Sequence, residues 1–282
     1  MTLSDAVSTG RRMQKLCINI LSPLELTSTG DARDIFDTWI ATLPSLTPER
    51  VGKYEPLRTV VRSADLSDAL QVWEPPLFLA SRRKPRMHCT IFQRGPNAPK
   101  SQHSWLKFEF TAAEITQFGA LAFLQSLCEV VQADFAAMEV IGDTYLDYGE
   151  SSGTVGYLNV KRTNWTFSVA TPSLRKGIPD LYWATVLGKP YVDLFGHERV
   201  ISSPVFTTTS LRYGGVMLQL TESFNDGEQA LRPRREEIKR YLNPLAFRGS
   251  GVATAHQTRP GPFDSPDFDS LSQASALPSF GL

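Results

Sequence analysis

The segment from Leu174 to Gly196, LRKGIPDLYWATVLGKPYVDLFG, constrains this chain more than any other. It is the most apolar and aromatic run, yet glycine and proline punctuate it. Gly177 and Pro179 precede the apolar core, Gly188 and Pro190 interrupt it, and Gly196 closes it. Glycine supplies backbone angles that other residues avoid, and proline fixes φ and removes a donor. The pattern predicts a buried strand over Leu181 to Leu187, then a tight turn at Gly188-Lys189-Pro190. A short helical or irregular segment follows from Tyr191 to Phe195. Tyr182 and Trp183 need partners for their hydroxyl and indole N–H if buried. No row of catalytic groups accompanies them.

Periodicity orders the rest. Leu16, Ile18 and Ile20 alternate as a first strand ending near Pro23. Ile35, Phe36, Trp39 and Ile40 repeat at helical spacing after a cap at Gly30 or Asp31. Thr47-Pro48-Glu49-Arg50 has the form of a second helix start. A short helix from Asp65 or Ser67 ends at Pro75-Pro76. Leu77 to Ala80, Met87 to Phe92 and the region from Trp105 to Phe110 read as strands. Thr111-Ala112-Ala113-Glu114 fits a capping box that opens a helix to about Val131. Phe135 to Ile141, Trp165 to Ala170, Arg199 to Thr208 and Val216 to Leu220 read as strands, and Gln229 to Leu242 as a charged helix with Pro233 near its first turn. This order predicts an α+β fold, a mainly antiparallel sheet with helices packed on one face, and it allows two similar α/β halves.

Composition sets the boundaries. Residues 1–14 read as a flexible leader and residues 15–247 as the folded unit, with a soft internal boundary near 142–156. From residue 248 to 282, Ser, Pro, Gly and Asp replace any apolar period; such a segment cannot offset ordering entropy and reads as disordered. The chain has 282 residues, with 29 basic and 29 acidic ones, so its overall charge points to neither nucleic acid nor an anionic membrane. Three scattered cysteines, Cys17, Cys89 and Cys128, have no metal-ligand spacing and fit reduced thiols in a cytoplasm. The apolar run from Phe118 to Val131 is too short to span a membrane, and the N-terminus lacks an apolar signal core. The expectation is a cytoplasmic protein without a cofactor.

Candidate chemistry is sparse. His88 and Cys89 suggest a thiolate–imidazole pair, but adjacent strand residues point to opposite faces. His103 and His197 fit exposed polar positions. Asp143, Asp147 and Glu150 could bind a divalent cation or act as acid and base, yet they lack the ligands of a calcium loop and fit a solvated turn better. The basic cluster Arg82, Arg83, Lys84 and Arg86 could grip an acidic partner; charge runs are more often solvated faces. Trp73, Tyr182, Trp183 and Tyr191 could form an interaction patch or belong to the core. No phosphate-binding glycine loop, G-x-S-x-G elbow or H-E-x-x-H helix is present.

The central stretch, followed by RVISSPVF and GGVMLQLTES, resembles the bacterial immunity protein 52 family. The most specific part is a Tyr-Trp pair followed by Gly-x-Pro-Tyr-Val-Asp and a closing glycine. GKYEPLRTVV, LSDALQVWEPPLF and RRKPRMHCTIF are similar to the first half of such proteins. The resemblance spans Leu16 to Leu242. It implies a non-enzymatic protein that neutralises a cognate toxin of a polymorphic toxin system by binding it. It also implies that Tyr182, Trp183, Gly188, Pro190, Tyr191, Asp193 and Gly196 are scaffold. Arg82, Arg83, Arg86, Asp143, Asp147 and Glu150 are then the candidate partner-binding residues, with neither membrane nor direct nucleic acid as partner. The competing readings are a metal-dependent hydrolase or nuclease using the Asp/Glu cluster, and a regulatory protein of a phage or mobile element.

The tail yields a direct test. Deleting Gly249 to Leu282 should leave the thermal unfolding midpoint unchanged, because nothing in that composition can add to a core. A clear drop in the midpoint would show that the tail packs on the folded unit.

Overall fold

The computed structural model describes residues 14–63, 65–74, 76–84, 86–94, 103–141, 169, 171–174 and 177–247. Strand β1 (Lys15–Ser22) is buried at every residue but its first. A strand covered on both faces belongs in the middle of a sheet. β1 pairs with β6 (Ser104–Thr111) on one side and β7 (Phe135–Ile141) on the other. The remaining strands are β2 (Arg50–Gly52), β3 (Thr59–Val60), β4 (Leu77–Ser81), β5 (Met87–Phe92), β8 (Ala184–Leu187), β9 (Thr207–Ser210) and β10 (Val216–Gln219). Among the described residues these form one open ten-stranded sheet in the order β3-β2-β4-β5-β6-β1-β7-β8-β10-β9. Every pairing between these strands is antiparallel.

Register decides which side chains share a face. Leu16, Ile18 and Ile20 align with Phe110, Phe108 and Leu106, and with Val140, Met138 and Ala136. Helices α1 (Thr29–Thr42) and α3 (Gln117–Val131) cover this face. The Trp39 ring meets Phe108 edge-on at 5.2 Å, and Phe123 meets Phe108 at 4.9 Å. The buried Trp39 indole donates to the Leu46 carbonyl at 2.9 Å, so its polar atom is satisfied. Ser28 caps α1 in a capping box with Asp31, and Thr116 caps α3 by accepting from the Gly119 amide.

The opposite face carries Cys17, Asn19 and Leu21, aligned with Glu109, Lys107 and Trp105 and with Glu139, Ala137 and Phe135. Here α5 (Lys189–Phe195) and α7 (Glu228–Leu242) pack over the β7–β8 end. The Tyr191 ring lies 6.3 Å from Phe135, and Arg235 bonds to Glu139. Each half of the chain therefore keeps its helices on one face, and the two halves use opposite faces. The architecture is α+β with an antiparallel sheet.

Several local expectations give way to tertiary contacts. Thr47 to Arg50 does not start a helix; the chain is extended into β2, where the Glu49 amide bonds to the Ala80 carbonyl. Thr111 does not cap a helix either, because Ala112–Glu114 forms one 3-10 turn and α3 begins after Thr116. The first part of the expected strand from Arg199 is helix α6 (His197–Ile201), which buries Val200 and leaves Glu198 and Arg199 exposed. Burial of one apolar side chain there outweighs β-branched propensity. Only Ala184–Leu187 of the predicted strand from Leu181 enters the ladder, although Leu181, Tyr182 and Trp183 are all buried. Pro233 lies inside α7, beyond its first turn. The expected strand from Trp165 to Ala170 and the C-terminal segment lie outside the described residues except at Val169.

Two residues of the central stretch are built into this arrangement. Trp183 is fully buried, donates its indole N–H to the Thr221 carbonyl at 3.1 Å and meets the Phe224 ring edge-on. Gly188 donates its amide to the Asp134 carbonyl, and a Cβ there would lie 2.2 Å from the Ala133 oxygen and 2.5 Å from the Asp134 Cα. Trp183→Ala should cost about 3–5 kcal/mol through lost burial and a cavity. Gly188→Ala should cost about 2–3 kcal/mol by forcing two backbone segments apart. Both are checked by urea denaturation, and a variant with the wild-type midpoint would contradict the packing described for its position.

Candidate partner-binding surface

The basic cluster forms the turn between β4 and β5, and Arg82, Arg83, Lys84 and Arg86 are all exposed. Its backbone is clamped by two carboxylates. Glu49 accepts from the amides of Arg82 at 3.1 Å and Arg83 at 3.5 Å, and Glu114 accepts from the Arg86 amide at 2.7 Å. The Arg83 guanidinium also approaches Glu49 at 3.5 Å. Among the described residues no carboxylate pairs with the charged heads of Arg82, Lys84 or Arg86. The amides on either side of the turn are thus anchored while its cations stay available to solvent.

A strip of aromatic side chains runs from this turn along the sheet face that α1 and α3 leave uncovered. Alternation along β4, β5 and β6 places Phe78, His88, Phe92 and Trp105 on that face. Phe92 stacks on Trp105 at 5.4 Å, and Phe78 contacts both Phe92 and His88. Phe92 is 38% exposed, and Phe78, His88 and Trp105 are half-buried. The Trp105 indole is satisfied by Asn19 Oδ1 at 3.1 Å. Beside the strip, Lys107 and Lys15 both reach Glu109, at 2.6 and 3.2 Å. Burial alone would raise the Glu109 carboxyl pKa, but these two ammonium groups outweigh it and hold the pKa below the ordinary value.

The other candidates fall elsewhere. Tyr182, Trp183, Pro190 and Tyr191 are buried, and Tyr182 donates its amide to Thr185 Oγ1 at 2.8 Å. Pro190 occupies the first turn of α5. Asp193 is exposed and pairs with Lys189 one helical turn away at 2.5 Å, and Gly196 takes a φ of 87° between α5 and α6. Asp143, Asp147 and Glu150 lie outside the described residues. His88 and Cys89 do point to opposite faces. Burial raises the thiol pKa of all three cysteines, Cys17, Cys89 and Cys128, so they are poor nucleophiles.

Three buried polar clusters escaped sequence reasoning. Glu139 pairs with Arg235 at 2.7 Å, both nearly inaccessible, and also accepts from the Trp183 amide at 2.9 Å. Lys239 pairs with Asp180 at 2.6 Å and with Glu236 at 3.0 Å. His103, expected on the surface, is only 5% exposed and bridges Thr171 and Asp134, each at 3.0 Å. A hydroxyl, an imidazole and a carboxylate in series can in principle activate a nucleophile. Here all three are buried, and Thr171 Oγ1 also accepts the His103 amide at 3.2 Å. The cluster therefore staples the start of β6 and the turn before β7 to α4 (Thr171–Leu174). Charged residues paired over such sequence distances leave no local signature, since i,i+3 and i,i+4 spacing reports only neighbours on one helix.

No family model matches the chain, and no curated protein matches it either. The fold has a solved counterpart. The Pseudomonas aeruginosa T6SS protein PA0821 is similar with a TM-score of 0.54 at 14% identity, covering 81% of this chain and 75% of its own. At that identity the likeness is one of fold. No helix among the described residues is long and apolar enough to cross a membrane.

The buried clusters generate two predictions. Arg235→Leu strands the Glu139 carboxylate and should cost about 3–5 kcal/mol. Glu139→Gln combined with Arg235→Leu should recover part of that loss, because an uncharged amide oxygen still accepts from Trp183; denaturation of the two variants separates these outcomes. Burial raises the Asp134 carboxyl pKa above its reference of 3.8, against the opposing pull of His103. An acid with a raised folded pKa contributes stability that is full below the unfolded value and is lost as pH rises through the folded value. Between pH 3.8 and the higher folded value, the wild type should therefore lose stability relative to Asp134→Asn. Parallel stability curves for the two proteins would remove Asp134 from the pH response.

Proposed function

We propose that this chain is a non-enzymatic, cytoplasmic immunity protein that neutralises a cognate toxin by binding it directly. The observation that carries the reading is the fold likeness to a Pseudomonas aeruginosa T6SS protein over 81% of the chain. The resemblance of the central stretch to immunity protein 52 supports the reading separately. Neutralisation by binding needs a surface that arrives pre-formed, so that little ordering entropy opposes the complex. A sheet face with partly exposed aromatics and an arginine turn anchored through its amides supplies the residue types that dominate binding hot spots. The inhibitor then covers the toxin's active site or substrate channel and excludes water and substrate at its rim.

The test is co-expression in a bacterial host with the toxin encoded by the adjacent gene. Cells making toxin alone should stop growing, cells making both should grow, and the two proteins should co-purify as a stable complex. Purified chain should also inhibit the toxin's activity stoichiometrically. Unprotected growth together with failure to form a complex would overturn the reading. Metal-dependent hydrolysis by the chain alone, abolished by Asp147→Ala, would replace it with the hydrolase reading.

A further inference from the structure

The partner surface can be placed and its chemistry named. We infer that the β4–β5 turn and the adjoining aromatic strip form one docking site for an acidic segment of a protein partner. The segment sets its carboxylates over Arg82, Lys84 and Arg86 and its apolar side chains over Phe78, Phe92 and Trp105. This deepens the immunity reading and rests on it only for the partner's role as a toxin.

Three observations converge on an acidic segment. First, the turn gathers four cations against two carboxylates, and both carboxylates are committed to backbone amides. The heads of Arg82, Lys84 and Arg86 keep unopposed charge, and the amides of Arg82, Arg83 and Arg86 are already bonded to Glu49 and Glu114. A carboxylate from outside can take a guanidinium in bidentate geometry, at little further ordering of the turn. Second, the strip begins where the turn ends. Ala80 and His88 pair directly below Ser81 and Met87, and Phe92 lies six residues along the strand from Arg86. At about 3.3 Å per residue this makes a track roughly 20 Å long, the span of a short extended segment. Third, the aromatic end has no unmet polar demand, because Asn19 satisfies the Trp105 indole. Its stacked and edge-on rings therefore present π faces to apolar or aromatic side chains rather than to carboxylates. Charge at one end and π surface at the other specify the composition of the segment and which of its ends lies over the turn. Nucleic acid is a poorer fit: its charge is evenly spaced, and only one end of this track is cationic.

The experiment is fluorescence anisotropy with the full chain and a labelled synthetic peptide. The peptide's first half is a run of Glu and Asp, and its second half carries Leu and Phe. Controls replace the acidic residues by Lys, replace Leu and Phe by Gly, or use a short DNA duplex. The acidic–apolar peptide should bind best and lose affinity with added salt. Arg82→Ala with Arg86→Ala should weaken it about tenfold, and Phe92→Ala by about threefold or more. All three positions are exposed, so thermal midpoints should stay at the wild-type value and exclude unfolding as the cause. Binding equally tight for the lysine peptide or the duplex, binding indifferent to these substitutions, or no binding of the acidic peptide would each overturn the site. A chain that neutralises its toxin but ignores the peptide refutes this surface alone. Peptide binding without neutralisation refutes the immunity reading alone.

Discussion

A buried ion pair joins the two halves of this molecule. Glu139 sits on β7, beside the central strand, and its carboxylate meets Arg235 of α7 at 2.7 Å with both side chains almost free of solvent. The same oxygen accepts the amide of Trp183 just before β8. One carboxylate thus fixes a helix, a strand entry and the largest aromatic of the central stretch. Removing two charges from water is costly, and such pairs add little net stability compared with apolar replacements. What they add is selectivity. A displaced α7 would leave an uncompensated charge in the interior, so alternative packings of that helix are far less favourable. The Lys239–Asp180 pair repeats the device one turn further along the helix.

Around this anchor the core is built on steric fit. On the first face Trp39, Phe108, Phe110 and Phe123 meet mainly edge-to-face, the arrangement favoured by ring quadrupoles. On the second face the β7–β8 junction comes so close to the turn at Ala133 and Asp134 that Gly188 leaves no room for a methyl group. The Tyr213 hydroxyl donates to the Ala133 carbonyl at 2.8 Å and closes the same junction. The buried scaffold and the exposed strip thus lie on different regions of one sheet, and rigidity in the first holds the geometry of the second.

Much of this was legible in the sequence. Alternation in Leu16, Ile18 and Ile20, in Met87 to Phe92 and in Val216 to Leu220 marked strands that exist, because every second side chain of a pleated strand shares one face. The helical spacing of Ile35, Phe36 and Trp39 marked α1, and the basic cluster did lie on the surface. The errors share a cause. Thr111 looked like a cap because its pattern was local, but Glu114 is drawn across to the Arg86 amide in the β4–β5 turn. Arg199 to Thr208 looked β-branched, but Val200 finds its burial on a short helix. His103 looked polar and free because Asp134 and Thr171 lie 31 and 68 residues away. The aromatic strip was equally hidden: Phe78, Phe92 and Trp105 become neighbours only through the register of three strands.

The position of β1 bears on how the chain emerges from the ribosome. The first strand among the described residues lies in the middle of the sheet, and its two neighbours, β6 and β7, begin only at Ser104 and Phe135. Until Ser104 to Thr111 has been synthesised, β1 has no native partner on either edge, and its second edge stays open until Phe135 to Ile141 follows. Synthesis at about 5–20 residues per second makes that an interval of several seconds. Pairings so distant in sequence are also slow to close. Until β7 is out, an edge of β1 stays open to pairing with other chains, and that exposure ends once both edges are filled.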